Sequence, residues 1–304
     1  MHYFGIECFY IANIESKKRN YLTIDSKQYK EELRHGYDNA APGWQKWWKT
    51  IKTATEEVSK RLVELAEIKP GFNVLDIATG IGEPALTAAK QVGKNGEILA
   101  IDISPQMLSF AKERAISLGL QDVVEFKEGD VETIDLPSST FDAALCRWGL
   151  MFLPNPKADL SNIYRSLVKG GHLAAAVWAS PEKVPFISVP MNIVLKETNS
   201  PPPGTPGPFS MSDQNNLKKF YEESGFIHPV IERINVVSDF DSTDDFTAFT
   251  IDHGGPALQK ILAGETNESM KRIVKAISKG SEKYAVSTGK VRFENEAILI
   301  VGRK

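Results

Sequence analysis

Between Asn73 and Trp178 the sequence repeats one unit, a short run rich in Val, Ile, Leu and Ala followed by an amphipathic stretch. The runs are Asn73 to Ala78, Glu97 to Ile101, Val123 to Lys127, Phe141 to Arg147 and His172 to Trp178. Near-continuous apolar runs suit strands buried on both faces, and the stretches between them suit the crossover helices that parallel strands need. The pattern predicts an α/β fold, a Rossmann-like, mostly parallel sheet with helices on both faces. Two strand-to-helix turns are marked. Pro84 opens one helix, and Ser104-Pro105 opens another, with Ser as cap and Pro where no N–H is needed.

The flanks add to this core. Lys27 to Ile68 reads as helical, with Val58, Leu62 and Leu65 along one face, and forms a cover over the sheet or its upper edge. Asn199 to Ser212 carries three consecutive prolines plus Pro206 and Pro208 and reads as an extended connection. A helix over Lys218 to Glu223 ends at Gly225, and a strand runs around Val230 to Val237. Asp239 to Tyr284 is a polar, mostly helical insertion before a last strand, Val291 to Val301. The divisions expected are a leader and helical cover (1–68), a ligand-binding core (69–180), insertions with the sixth strand (181–290) and the last strand (291–304).

Charge and cysteine content exclude several classes. The chain of 304 residues has 36 basic and 39 acidic side chains without dense Lys/Arg clustering, so nucleic acid is not an expected partner. Cys8 and Cys146 are too few for a disulfide framework or a thiolate metal site and suit the reducing cytoplasm. Met1 to Ile14 is apolar, but Glu7 interrupts it and no small-residue cleavage site follows, so it reads as a variable leader. No stretch has the length to span a bilayer. Neither a metal nor a particular oligomeric state is indicated.

Chemistry concentrates in Val74-Leu75-Asp76-Ile77-Ala78-Thr79-Gly80-Ile81-Gly82-Glu83-Pro84-Ala85, a strand entering a glycine turn and then a helix. Gly80 and Gly82 permit the turn and the close approach of a ligand. Asp102 follows Gly82 by 20 residues at the end of the next strand, where a carboxylate can accept from both hydroxyls of a ribose. Asp130 follows Gly129 beyond the third strand. A dinucleotide would bring a pyrophosphate to this turn, and Asp76 would repel it. S-adenosylmethionine brings a ribose, an ammonium and a sulfonium, which three acids around a glycine turn favour.

These residues resemble the class I S-adenosylmethionine-dependent methyltransferases, in the small-molecule branch that includes the ubiquinone/menaquinone biosynthesis enzymes. The resemblance rests on Leu75 to Gly82, Ala100 to Leu108, Glu128 to Glu132, Phe141-Asp142 through Phe152-Leu153-Pro154, and Leu167 to Leu173. It implies a seven-stranded sheet whose last strand is antiparallel and inserted beside its neighbours. It also implies that Asp76, Ala78, Thr79, Gly80 and Gly82 wrap the methionine part and Asp102 holds the ribose. Ile103 and Met107 would flank the adenine, Gly129, Asp130 and Val131 would read its edge, and Cys146 to Trp148 would line the passage to the acceptor. The quinone enzymes usually carry an Arg-Asn pair after the fourth strand, where this chain has Arg147-Trp148-Gly149.

The expected activity is methyl transfer from S-adenosylmethionine, with S-adenosylhomocysteine as product, to oxygen, nitrogen or carbon of a small organic acceptor. A quinone precursor is the alternative acceptor. A non-catalytic module binding the same nucleoside, or a dinucleotide-dependent oxidoreductase, are the alternatives of another class. If the acceptor must lose a proton, His253 in Asp252-His253-Gly254-Gly255 is the candidate base, on what reads as an exposed, flexible loop. Trp48, Arg147 and Trp148 are the candidate acceptor-contacting residues. Trp44, Trp47 and Trp48 form an aromatic cluster whose faces can stabilise a cation. The insertions Pro181 to Ser212 and Asp239 to Tyr284 read as irregular builders of the acceptor pocket.

Overall fold

The computed structural model describes residues 25–203 and 206–304. The Met1 to Ile14 leader, with Cys8, lies outside them. Asp25 caps the first helix, α1 (Ser26–Lys46), by accepting from the N–H groups of Lys27 and Gln28 at 3.0 and 3.1 Å. The chain leaves helical geometry at Trp47 (φ −97°, ψ 8°) and resumes as α2 (Trp48–Leu65). The helical cover expected over Lys27 to Ile68, with Val58, Leu62 and Leu65 on its second segment, is observed as these two helices. Val58 and Leu62 of α2 are fully buried, and α2 lies over the strands.

The sheet core follows as β1 (Asn73–Ile77), α3 (Ala85–Val92), β2 (Glu97–Asp102), α4 (Pro105–Ser117), β3 (Val124–Glu128), β4 (Phe141–Arg147), α5 (Pro156–Ser166) and β5 (Leu167–Trp178). Ser104 caps α4, its hydroxyl accepting from Met107 N–H at 3.1 Å, with Pro105 in the first helical position. After β5 come α6 (Pro185–Thr198), α7 (Gln214–Glu223), β6 (Ile227–Phe240), α8 (Thr243–His253), α9 (Pro256–Leu262), α10 (Asn267–Ser281) and β7 (Val291–Arg303). Part of the stretch expected to be irregular, Pro181 to Ser212, is therefore the helix α6. Its Pro185 occupies the first turn and Pro190 sits inside it, and this proline content masked the helical pattern.

The seven strands run β3-β2-β1-β4-β5-β7-β6. All pairs from β3 to β5 are parallel, and β7 is antiparallel to both β5 and β6. The Rossmann-like α/β fold expected from the sequence, with its reversed last strand inserted between neighbours, is the fold observed. Chain order reverses between β1 and β4, so the carboxyl ends of β1, β2 and β4 open a crevice where such sheets take ligands.

The two larger of three apolar clusters among the described residues hold most of the core. The larger packs aliphatic strand residues, among them Val74, Leu75, Ile98, Leu145 and Leu173, against α2, α3 and α5. Each such side chain contributes about 1.5–3 kcal/mol by leaving water. The second lies beneath α8, α9 and α10 and is built on Phe240, Phe246, Phe249 and Phe293 with Ile273 and Ile277.

Candidate functional site

One cavity of about 1050 Å³ opens above the carboxyl edge of the sheet. One end is walled by Ala78, Thr79, Gly80, Asp102, Ile103, Met107, Gly129, Asp130 and Val131. The other end is walled by aromatic side chains from separate segments, including Trp148, Trp178, Phe186, Phe249 and His253. Tyr37 and Trp44 of α1 and the prolines of 201–208 close it from above.

The glycine turn is shaped by hydrogen bonds that leave few donors free. Thr79 N–H donates to Ile101 O, and both Gly82 and Glu83 N–H donate to Thr79 O. Gly80 N–H donates to Asp102 Oδ2 at 2.8 Å, and Ala85 N–H, at the start of α3, donates to Asp76 Oδ2 at 3.0 Å. A pyrophosphate needs bare N–H groups at such a turn, and here these are already engaged, two of them by carboxylates. A nucleoside fits the same wall. Gly80 has φ +56°, and a Cβ placed there would meet nothing within 4 Å, so the turn faces open space. The buried Thr79 hydroxyl has no partner.

Asp76 and Asp102 differ in what they face. Asp76 is fully buried behind the turn, does not line the cavity, and burial pushes its carboxyl up to about 7. Asp102 lines the cavity while its Oδ1 accepts from Ser104 N–H at 2.9 Å, and burial pushes it up to about 6. Asp130 also lines the cavity, but Lys30 of α1 reaches it at 2.7 Å and pairs with Glu132 as well. The trio of acids around a cation expected from the sequence is thereby reduced: Asp76 shapes the turn, Asp130 is neutralised by Lys30, and Asp102 remains as the carboxylate presented without a cationic partner.

At the other end, His253 closes α8 rather than sitting in an exposed loop. Its ring is stacked on Phe249 at 4.5 Å and lies 4.1 Å from that of Trp44, and its Nε2 is closed to solvent without a partner. Burial lowers its pKa to about 3, so the imidazole is neutral. Gly43 of α1 makes this placement possible, because a Cβ there would lie 1.8 Å from the backbone oxygen of Asp252. Asp252 itself turns away, accepting from Trp47 Nε1 at 2.9 Å and pairing with Lys46 at 2.6 Å.

Residues 68–225 match the family model described as a methyltransferase domain, half of the chain. The chain belongs to this methyltransferase family. A demethylmenaquinone methyltransferase of Desulfitobacterium hafniense is 30% identical over 122 residues, 40% of this chain and 48% of that protein. The match thus spans about half the length of that relative. The ubiquinone/menaquinone biosynthesis C-methyltransferase UbiE of Coxiella burnetii is 24% identical over 180 residues, 56% of this chain and 68% of its own. Among solved structures, phosphoethanolamine N-methyltransferase 2 of Haemonchus contortus, in complex with S-adenosyl-L-methionine, superposes with a TM-score of 0.51 at 17% identity, covering 82% of this chain and 52% of that one. This last likeness is one of fold.

Within this member of the family, the cavity brings together Ala78, Thr79, Gly80, Asp102, Ile103, Met107, Gly129, Asp130, Val131, Arg147, Trp148 and His253 of the expected site. Four others stand behind its wall. Asp76 holds the turn. Gly82 packs on α3 and α4, where a Cβ would lie 2.9 Å from Leu86. Cys146 is fully buried, its thiol pushed up to about 12 by desolvation. Trp48 carries the Arg114 guanidinium over its ring at 4.9 Å instead of facing the cavity. Sequence reading missed Lys30, Trp178 and Phe186. Lys30 is one lysine among many on a helix, and the two aromatic residues sit in runs that read equally well as core.

Proposed function

We propose that this chain transfers the methyl group of S-adenosylmethionine to a small, largely apolar organic acceptor. The observation that carries it is the single cavity joining the Gly80 turn and Asp102 to an aromatic chamber, because methyl transfer needs nucleoside and acceptor in one enclosure. Asp102, ionised and fixed by Ser104 and Gly80 N–H, accepts from the ribose hydroxyls. Ile103 and Met107 flank the adenine. Asp130, steadied by Lys30, keeps spare lone pairs for its amino group. Ala78 and Thr79 hold the methionine end.

The bound cofactor supplies a methyl group activated on a sulfonium. The chain's part is alignment, and fixing nucleophile and methyl in line accounts for about 7–11 kcal/mol of barrier reduction in well-oriented reactions. Trp148, stacked on Trp178 at 4.4 Å, offers a flat apolar face for a planar acceptor. His253 lies on the cavity wall as a neutral imidazole, but with its pKa lowered to about 3 it is a weak base, so an acceptor that must lose a proton is not served by it. Calorimetry tests the cofactor: S-adenosylhomocysteine is expected to bind and NAD not, and tighter binding of NAD would reject the assignment. Transfer of labelled methyl across a panel of aromatic acceptors tests the reaction.

A quinone precursor is the second reading, supported by the names of the two relatives and by the aromatic chamber. Turnover of a demethylmenaquinol analogue at a rate above all other acceptors is its expected outcome.

A further inference from the structure

Arg147 ends β4 and lines the cavity. Its Nη1 donates to two hydroxyls of α2, Thr55 Oγ1 at 2.9 Å and Ser59 Oγ at 2.8 Å, and its Nε has no partner. Among the described residues it pairs with no carboxylate. The two acids whose charge reaches it are both engaged, Glu83 with Arg114 at 3.1 Å and Asp76 with Ala85 N–H. The other Lys and Arg side chains on the cavity wall do have carboxylate partners, Lys30 with Asp130 and Lys260 with Glu32. A half-buried guanidinium held only by hydroxyls has lost part of its hydration, and a ligand oxygen with negative charge offsets that cost through a short, charge-assisted contact.

The guanidinium lies 5.1 Å over the Trp148 ring, which in turn stacks on Trp178. Trp148 is held at φ +61°, an unusual conformation for a bulky residue, and its indole Nε1 is buried without a partner. Cation and flat apolar face therefore meet at one corner of the chamber.

We propose that Arg147 determines acceptor specificity by pairing with an acidic oxygen, a carboxylate or an ionised phenol, on a planar apolar molecule lying against the Trp148 and Trp178 rings. This rests on the methyl-transfer reading. A carboxylate at Arg147 has two sources, the acceptor or the amino-acid end of the cofactor, and the acceptor is favoured by the aromatic pair beneath the guanidinium.

The test uses the full chain loaded with S-adenosylhomocysteine and two probes of one shape, 2-naphthoate and the neutral 2-naphthylmethanol, followed by calorimetry. The naphthoate is expected to bind about tenfold or more tightly than the alcohol, from the strength of hydrogen bonds to charged groups. Arg147→Met is expected to erase the difference and Arg147→Lys to keep part of it. Equal binding, no binding of either probe, or a preference that survives in Arg147→Met overturns the proposal. If Arg147→Met fails to fold, the wild-type preference and the Arg147→Lys variant decide. Weakened S-adenosylhomocysteine with unchanged 5′-methylthioadenosine in Arg147→Met assigns the guanidinium to the cofactor's carboxylate and also overturns it. Failure of the wild type to bind S-adenosylhomocysteine is a separate result: it rejects the methyl-transfer reading, and the probes on the ligand-free chain then decide whether Arg147 selects acids.

Discussion

The two ends of the cavity are built on different principles. The nucleoside end is backbone: consecutive residues of one turn, their N–H groups tied to Asp76, Asp102 and Thr79, on a core of aliphatic strand residues. The acceptor end is side chain: Trp44, Trp148, Trp178, Phe186, Phe249 and His253 arrive from α1, β4, β5, α6 and α8, partly on the phenylalanine cluster. A backbone turn has one geometry that many sequences must satisfy in the same way. A chamber of side chains is re-shaped by single substitutions, so on the proposed methyl-transfer reading one end fixes the chemistry and the other the choice of acceptor.

This contrast breaks most visibly at Asp102. Asp102→Asn keeps the shape but loses the charge that Gly80 N–H and Ser104 N–H face and that the proposed ribose contact needs. It is expected to weaken S-adenosylhomocysteine about 100-fold, from about 3 kcal/mol for hydrogen bonds to a charged group, and to lower stability by about 1–3 kcal/mol, because the amide NH2 cannot accept from one of the two N–H groups. Unchanged affinity by calorimetry would remove Asp102 from the nucleoside end.

Gly43→Ala probes the acceptor end. A Cβ forced against Asp252 O must push α1 and α8 apart, costing about 1–3 kcal/mol in a urea unfolding titration, and it is expected to spare S-adenosylhomocysteine affinity. A matched loss at both ends would show that the two regions are not independent.

Protonation sharpens the comparison with opposite signs. His253 has its folded pKa lowered to about 3. As pH falls below about 6.5 the unfolded chain gains a proton that the folded chain refuses. Stability then declines by up to about 1.4 kcal/mol per pH unit until the folded pKa is reached. His253→Phe is expected to lessen this decline in denaturant titrations between pH 6.5 and 5. Asp102 has its folded pKa raised to about 6, so between about pH 4 and 6 the folded chain holds the extra proton and stability falls as pH rises. Ribose binding needs the ionised form, so S-adenosylhomocysteine affinity is expected to rise through pH 6, and Asp102→Asn to flatten that profile.

The smallest effect is at a tie between the two regions. Arg61 of α2 grips Glu232 of β6 at 2.7 Å in a half-exposed pair. Arg61→Ala is expected to cost no more than about 1 kcal/mol, as exposed pairs do, and to leave ligand binding unmoved. A larger thermal shift would mean that α2 depends on β6 for its position.

Sequence alone determined the sheet, its strand-to-helix turns and the glycine-turn residues that line one end of the cavity. Alternating apolar runs, a Ser-Pro cap and a carboxylate 20 residues beyond a glycine are local signals, because neighbours along the chain satisfy them. Only the tertiary structure decided that Lys30 of α1 neutralises Asp130, that Asp76 faces the turn and not the cavity, and that His253 is half-buried between aromatic rings. It also decided that, among the described residues, Arg147 lacks an acid partner and that prolines lie within the helix α6. Several of those outcomes depend on side chains distant in the chain, Lys30 and Asp130 being 100 residues apart and Arg147 and Thr55 92, and burial and charge pairing at such contacts are properties of the packed chain.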